Sequence, residues 1–158
     1  EGSSAFPYGL GLVVVGDGPL ASYLRARARA SRRVHFAGFF AEPNALPEVV
    51  ACADAFLHGS SAETYGLVVG EAIAAGVPLI VPSVGGAAEL ARAEYAEVYR
   101  AGDPADCAAA IERFAYRDQA GMRAAASHAG RTMVLDAERH FDGLFATYSG
   151  MVREARES

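Results

Sequence analysis

Two glutamates in the stretch SSAETYGLVVGEAIAAGVP, residues 60–78, are the side chains best placed for chemistry. Glu63 and Glu71 are separated by seven residues that include Tyr65 and Gly66. A helix that begins near Gly66 is rich in apolar and small residues, so we expect it to be largely enclosed. A carboxylate at 71 would then need a partner, because an unmatched buried charge is costly. Ligand hydroxyls or an ion pair with an arginine would each supply one.

The start of the same helix is a candidate anion site. The first amides of a helix have no acceptor within the helix, and the helix dipole favours negative charge there. Gly66 would let a phosphate approach these amides. Glu63 stands just before this helix end, and Glu71 lies roughly 8 Å further along the helix, at about 1.5 Å per residue. A diphosphate with a sugar on one side and a ribose on the other would span this distance.

A second glycine motif follows an apolar run near the start of the sequence. The residues GDGPLA, 16–21, match G-x-G-x-x-A, in which glycines let the backbone approach a pyrophosphate. A nicotinamide site also requires an acid about 20 residues further on. The sequence reads HFAGFF there, and Glu42 comes too late. A tight structural turn and an NAD-binding oxidoreductase domain remain alternatives for this motif.

Strand and helix patterns alternate along the chain. Short apolar runs bounded by glycine and proline favour strands, and a continuous run such as LGLVVV favours a strand buried on both faces. The alternation predicts an α/β fold, a Rossmann-like parallel sheet with helices on both faces and ligands at the carboxyl ends of the strands. We expect Gly85 and Gly86 to break the chain, and Gly76 with Pro78 to end a helix. The predicted strands are 10–15, 34–37, 53–58, 79–81 and 97–100, and the predicted helices are 20–30, 43–52, 66–75, 87–91, 104–114, 119–131 and 137–156.

Composition excludes several classes of function. At 158 residues, 52% hydrophobic and 21% charged, the chain is long and apolar enough to form the core of one domain. The net charge of −5 argues against a general nucleic-acid surface. No apolar run reaches the roughly 20 residues that span a bilayer, and we expect a cytoplasmic protein.

The cysteines and histidines indicate neither a disulfide framework nor a metal site. The spacing of Cys52 and Cys107 suggests buried, reduced thiols. The lack of an Asp-x-Asp motif and of clustered histidines predicts no metal.

Several motifs together resemble a known family. GDGP after a strand, VHFAGFF, HGSSAETYGLVVGEAIAAGVPLIV and GGAAEL resemble, in order and spacing, the nucleotide-binding half of the retaining glycosyltransferases of family 4. That family is marked by two glutamates in an E-x7-E pattern around an aromatic-Gly-Leu, here Glu63, Tyr65 to Leu67, and Glu71. The resemblance implies the carboxyl-terminal, donor-binding domain of a GT-B glycosyltransferase that transfers a hexose.

The resemblance also implies roles for individual residues. Glu71 would accept hydrogen bonds from ribose hydroxyls, and Glu63 from the hexose, both as positioning residues, so no catalytic residue is assigned. The nucleotide sugar, linked to UDP or GDP, is a substrate, and no cofactor is implied. The sugar and the diphosphate would contact the backbone amides of four successive residues, Tyr65, Gly66, Leu67 and Val68. The turn at Gly38 and Phe39 would lie against the base. Gly16 and Gly18 would leave room at the same edge.

The chain departs from the family pattern ahead of GDGP. The family places a pyrophosphate-gripping arginine and lysine on a strand-loop-helix unit there, and its acceptor domain precedes that unit. We therefore expect residues 1–158 to be a single donor-binding domain of a longer protein, inactive alone and partnered by its own acceptor domain. A noncatalytic nucleotide-sugar module is the alternative.

Two further features carry open interpretations. Arginines cluster between residues 25 and 33, which is typical of a solvated helix face or of peripheral contact with anionic lipid. His58, at the end of a predicted strand, is either a ligand contact or a satisfied histidine at the edge of the core. The members of the cluster are Arg25, Arg27, Arg29, Arg32 and Arg33.

Overall fold

The computed structural model describes residues 9–42, 45–60, 62, 66–133 and 145. Strands and helices alternate through the first part of this range, and two longer helices follow. The predicted helix over 137–156 lies outside the described residues apart from 145. The strands are β1 (Leu12–Val15), β2 (Val34–Gly38), β3 (Phe56–Leu57), β4 (Leu79–Pro82) and β5 (Ala96–Tyr99), and the helices are α1 (Ala21–Ala28), α2 (Ala45–Ala51), α3 (Leu67–Ala74), α4 (Gly85–Leu90), α5 (Pro104–Ala115) and α6 (Gln119–Met133).

All strand pairs in the described chain are parallel, which confirms the predicted α/β fold. The strands form two hydrogen-bonded groups, however: β1 pairs with β2, and β4 lies between β3 and β5. Leu12 stands opposite Val34 in the first group. Leu79 stands between Phe56 and Ala96 in the second. The carboxyl ends of the strands lead into the helices, as the sequence pattern predicts.

The main core surrounds β4, whose four residues are all buried. Helix α3 packs on this core through a stripe at positions i, i+3 and i+4 formed by Val69, Ala72 and Ile73. Gly76, at φ 72°, then ends the helix as predicted. Its amide donates to the carbonyl of Ile73 and the next amide, of Val77, donates to Ala72, which is a Schellman motif.

Helices α3 and α6 approach each other closely at Gly130. A Cβ atom at this position would lie 2.5 Å from the carbonyl oxygen of Ile73 and 2.9 Å from the Cα of Ala74. The neighbouring Ala126 and Ala129 are buried against the same core. Small residues on α6 therefore allow the backbone of α3 to pack directly on it.

Helix α5 covers the other side of β4 and β5. Its start is capped by Asp103, whose carboxylate accepts from the amides of Ala105 and Asp106. On its outer side, Glu97 of β5 accepts from Arg113 at 2.9 Å and from Arg117 at 3.0 Å. The charges in this part of the molecule are thus paired.

The β1 strand is exposed, contrary to the prediction of burial on both faces. Leu12 is 40% exposed, Val13 53% and Val15 37%. An apolar run predicts a strand, but its depth depends on what packs against it. Helix α1, which follows β1, buries no side chain.

The expectation of two buried thiols is also only half right. Cys107 is partly buried, and burial together with the Asp106 carboxylate raises its pKa, whereas Cys52 is exposed. Within the described ranges, no helix is long and apolar enough to cross a membrane. The same residues contain no group of three or more metal-ligating side chains.

Substitution Gly130→Ala should destabilise the fold by about 2 kcal/mol. The new methyl group would overlap the backbone of α3, and this outweighs the higher helix propensity of alanine. Urea unfolding followed by circular dichroism measures the change. Gly70→Ala is the matched control, since a Cβ there meets no other atom within 4 Å. It should stabilise α3 by about 0.5 to 1 kcal/mol. Equal effects at the two positions would contradict the close contact between α3 and α6.

Candidate functional site

The amino end of α3 is set by Gly66, which is buried and has φ 74° and ψ 35°. A Cβ there would lie 3.3 Å from the carbonyl carbon of Gly86 and 3.4 Å from the amide of Ala87. Glycine is therefore needed both for the left-handed backbone and for the close approach of α4. Gly66 was predicted to let a phosphate approach the first amides of the helix, but on the side where its Cβ would lie the first turn of α4 fills the space.

The first backbone amides of α3 form a candidate site for an anion. The carbonyl of Gly66 accepts from the amides of Val69 and Gly70 at 2.9 Å, while the amides of Leu67 and Val68 have no acceptor within the described residues. Unpaired amides and the helix dipole favour a bound anion at this end.

A second helix begins beside the first. Gly85 and Gly86, predicted to break the chain, instead form the first turn of α4, which has no side-chain cap. Paired glycines shortly after a buried strand are also typical of a helix start that another backbone can approach closely, and the sequence interpretation did not include this. The start of α4 therefore lies beside the start of α3.

Glu71 lies on the outer face of α3. Its side chain is exposed, as is that of Leu67 one turn earlier, which is 67% exposed. The prediction that this carboxylate is enclosed is therefore wrong. The helical period explains why, since the buried stripe turns position 71 outward. The ion-pair alternative finds no support either, because no salt bridge to Glu71 occurs among the described residues.

The other half of the E-x7-E pair cannot be compared with the prediction. Glu63 and Tyr65 lie outside the described residues, so their predicted contacts stay predictions. The described part of the motif comprises Gly66, Leu67, Val68 and Glu71, which the structure places on the first two turns of one helix.

The loop GDGP forms a second group at the carboxyl ends of β1 and β2. The amide of Gly16 donates to the carbonyl of Gly38 at 2.7 Å, which ties the two strand ends together. The amide of Gly18 donates to the carboxylate of Asp17 at 2.8 Å. A Cβ at Gly16 or Gly18 would meet no atom within 4 Å. The loop thus leaves room beside its backbone, and the predicted contact of Gly16 and Gly18 with a ligand stays a prediction.

Next to this loop lies an open cavity of about 340 Å³. Phe39, predicted to contact a base, directly follows the Gly38 turn and is 77% exposed. The structure therefore brings Gly16, Gly18 and Phe39 to one edge. The cavity is lined by residues 14–21, Leu24 and Phe36.

His58 directly follows β3. It is buried, being 9% exposed, and its Nε2 atom has no hydrogen-bond partner among the residues that the structure describes. Its carbonyl accepts from the hydroxyl of Tyr99 at 2.7 Å. Burial raises the pKa of Tyr99, so this hydroxyl stays protonated as a donor. His58 was interpreted as either a ligand contact or a satisfied histidine. Because Nε2 lacks a partner among the described residues, the second interpretation is wrong for this atom.

Two groups of backbone amides and glycines thus lie at the carboxyl ends of parallel strands, one on GDGP and one on the helix ends of α3 and α4. This is the edge at which α/β proteins bind nucleotides and phosphorylated ligands. The fold and the site together define an α/β domain with glycine-rich loops and helix ends at the carboxyl ends of its strands.

Comparison with known families specifies the class. Residues 5–116 match the family described as glycosyl transferases group 1. The chain belongs to this family.

Two curated relatives cover most of the chain. The GDP-mannose-dependent alpha-(1-6)-phosphatidylinositol dimannoside mannosyltransferase of Mycobacterium tuberculosis is 30% identical over 129 residues, which is 82% of this chain and 28% of the relative. The D-inositol 3-phosphate glycosyltransferase of Geodermatophilus obscurus is 36% identical over 110 residues, or 69% of this chain and 24% of the relative. The chain thus spans about a quarter of the length of these relatives.

Solved structures show the same fold. HepE of Anabaena, in a crystal structure with UDP, has a TM-score of 0.72 at 22% identity, covering 89% of this chain and 41% of that one. This likeness confirms the α/β fold expected of a GT-B glycosyltransferase.

Substitution Gly66→Ala should cost about 2 to 3 kcal/mol in unfolding free energy. The residue would be forced into a left-handed backbone, at about 1 to 2 kcal/mol, and its methyl group would press on α4. Gly102→Ala is the matched control, because Gly102 has φ +77° but no atom within 4 Å of an added Cβ. The Gly102→Ala substitution should lower the unfolding free energy only by the cost of the left-handed backbone, about 1 to 2 kcal/mol. Identical losses in chemical denaturation would show that α4 does not press on Gly66.

Substitution His58→Phe should raise the stability of the ligand-free chain by about 1 kcal/mol. The phenyl ring fills a similar volume and removes a buried nitrogen that lacks a partner. Differential scanning calorimetry measures the change. A clear loss of stability would mean that Nε2 makes a hydrogen bond that the native chain needs.

Proposed function

We propose that this chain binds the nucleotide-diphospho-sugar donor of a retaining glycosyltransferase of family 4. The observation that carries the proposal is the amino end of α3, where the amides of Leu67 and Val68 lie one turn before the exposed carboxylate of Glu71 and have no acceptor among the described residues. Amides at a helix end suit a diphosphate, and a carboxylate suits a pair of vicinal hydroxyls. The amides and the carboxylate follow each other along one helix, as the diphosphate and the ribose follow each other along a nucleotide sugar.

The family and its solved neighbours support this choice of ligand. HepE has been crystallised with UDP and with UDP-glucose, and the mycobacterial relative is named for its use of GDP-mannose. A uracil or guanine base, a ribose, a diphosphate and a hexose are therefore the ligand parts to place. In the proposed arrangement, Phe39 contacts the base and Glu71 accepts from the ribose hydroxyls. The amides of α3 contact the diphosphate, and Glu63 accepts from the hexose.

Both glutamates act as positioning residues in this proposal. An exposed carboxylate such as Glu71 can hold a hydroxyl by a charge-assisted hydrogen bond, and this orients the donor for transfer. The leaving diphosphate itself assists the incoming hydroxyl. Transfer of the hexose belongs to the longer protein, because the chain covers only 28% and 24% of the two curated relatives. We do not expect the 158-residue chain alone to transfer sugar.

An oxidoreductase function has less support. In a nicotinamide site, an acid at the end of the second strand binds the ribose. The structure places Gly38 and the exposed Phe39 at that end of β2.

Substitution Glu71→Gln should weaken the binding of UDP or GDP about tenfold or more. The carboxylate loses its charge and half of its acceptor capacity, and hydrogen bonds to charged groups contribute about 1.5 to 3 kcal/mol. Isothermal titration calorimetry of the 158-residue chain with UDP, GDP and NAD measures the affinities. Because Glu71 is exposed, the substitution should leave the melting temperature of the free chain unchanged.

Glu112→Gln is the matched control, since Glu112 is an exposed glutamate on α5, away from the candidate site. It should bind the nucleotides like the native chain. Binding of NAD in place of UDP and GDP would overturn the proposal in favour of an oxidoreductase domain. Equal nucleotide affinities of the Glu71→Gln and Glu112→Gln variants would remove Glu71 from the site.

A further inference from the structure

A second cavity lies between α1 and the amino end of β2. It has a volume of about 350 Å³, within the range of about 300 to 1,000 Å³ that is typical of small-molecule sites. Its polar lining consists of Arg25, Arg29, Ser31 and His35. The cavity beside GDGP lies toward the other end of β2, and Phe36 borders both cavities. The proposed donor site does not use the polar side chains of this second cavity.

Two arginines reach the cavity because they lie on one face of α1. Arg25 and Arg29 are four residues apart, which places their Cβ atoms about 5 to 6 Å from each other on a helix. Arg29 is the C-cap residue and keeps helical dihedral angles, φ −54° and ψ −33°. Arg27 lies on the opposite face, where it donates to the hydroxyl of Tyr23 at 3.2 Å. The cavity therefore receives two guanidinium groups, and the third lies away from it.

The charge of these two arginines is available to an anionic ligand. Neither Arg25 nor Arg29 forms an ion pair within the described residues. Arg25 lies over the ring of Phe36, 4.9 Å from its centroid, and this contact limits the positions of its guanidinium group. The residues described around the cavity include no acid. The cavity is thus positively charged, and one of its two cations is already oriented.

Two smaller side chains add hydrogen-bond donors to the cavity. The Oγ atom of Ser31 accepts from the amide of Arg33 at 3.3 Å, and its hydroxyl hydrogen has no acceptor among the described residues. His35, an exposed residue of β2, contributes an imidazole N–H. A carboxylate has two oxygens, whereas a phosphate monoester has three terminal oxygens and can accept from two guanidinium groups and a hydroxyl together. The set of donors therefore suits a phosphate group better than a carboxylate.

We propose that this cavity binds a water-soluble phosphate monoester. The guanidinium groups of Arg25 and Arg29 hold the phosphate oxygens, and Ser31 and His35 donate to the same group. The esterified part of the ligand occupies the rest of the cavity, which a phosphate ion alone would leave to water. This site lies apart from the first amides of α3, so the proposal goes beyond the donor site and can be tested independently of it.

An NMR titration of the 158-residue chain tests the proposal. Glycerol 3-phosphate, added at constant ionic strength, should shift the amide resonances of residues 29–36 and leave those of residues 66–71 unchanged. Glycerol at the same concentrations should shift neither group. Substitution Arg29→Gln should weaken the binding about tenfold or more, because it removes a charge-assisted hydrogen bond to the phosphate.

Arg27→Gln is the matched control. It removes the same charge from the same helix, but on the face opposite the cavity. This variant should bind glycerol 3-phosphate like the native chain. Circular dichroism checks that both variants are folded. Should Arg29→Gln fail to fold, Ser31→Ala serves in its place, with about a fivefold loss of affinity expected from the lost hydroxyl.

The source of the phosphate is decided by two further probes. Inorganic phosphate should bind more weakly than glycerol 3-phosphate, and equal affinities would assign the cavity to the free ion. Vesicles that contain phosphatidic acid present the same chemical group on a lipid. Sedimentation with these vesicles that requires Arg29 and not Arg27, without any shift on addition of glycerol 3-phosphate, would replace the soluble ester with a lipid headgroup.

Three results would overturn the site itself. Equal losses of affinity in the Arg27→Gln and Arg29→Gln variants would reduce the binding to general electrostatic attraction. Shifts centred on residues 66–71, or loss of glycerol 3-phosphate binding in the Glu71→Gln variant, would place the phosphate in the donor site. Absence of any response to glycerol 3-phosphate, inorganic phosphate and the vesicles would show that the cavity binds no phosphate.

Discussion

The left-handed backbone of Gly66 is the constraint on which the candidate site depends. It turns the chain from the loop into α3 while the first turn of α4 packs against its Cα atom. The same helix is ended by the Schellman motif at Gly76 and is held along its length by α6 at Gly130. Helix α3 is therefore fixed at both ends and on its buried side. Its outer face, with Leu67 and Glu71, stays exposed, and the proposed ligand contacts lie on this face and on the first amides of the helix.

The molecule combines two parts of different character. Around β4 the side chains are buried, and the charges of Glu97, Arg113 and Arg117 are paired. Around β1 and α1 apolar side chains are exposed, and the arginines of α1 form no ion pair with any residue that the structure describes. The proposed contact between Phe39 and the base lies in this second part, since Phe39 directly follows β2, the partner strand of β1.

The sequence predicted where the strands and helices lie more accurately than it predicted which of them are buried. The start and end of α3 were predicted within one residue, because glycine at 66 and glycine with proline at 76 and 78 interrupt the helical pattern locally. Burial is not a local property. The runs LVVV in β1 and LIVP in β4 are both short and apolar, yet β1 is largely exposed and β4 is fully buried. Which helices cover a strand is decided by contacts distant in sequence, and the pattern of one strand does not contain them.

The exposure of Glu71 changes the physical reason for a glutamate at this position. An enclosed carboxylate would need a partner for the fold to be stable, whereas an exposed one is hydrated and tolerated without any. Selection for stability therefore does not account for a glutamate on α3, where alanine has the higher helix propensity. The cost of removing water from Glu71 arises only when something covers the outer face of the helix. A ligand that covers it must then supply hydrogen-bond donors, and a ribose diol whose diphosphate rests on the amides of Leu67 and Val68 would do so.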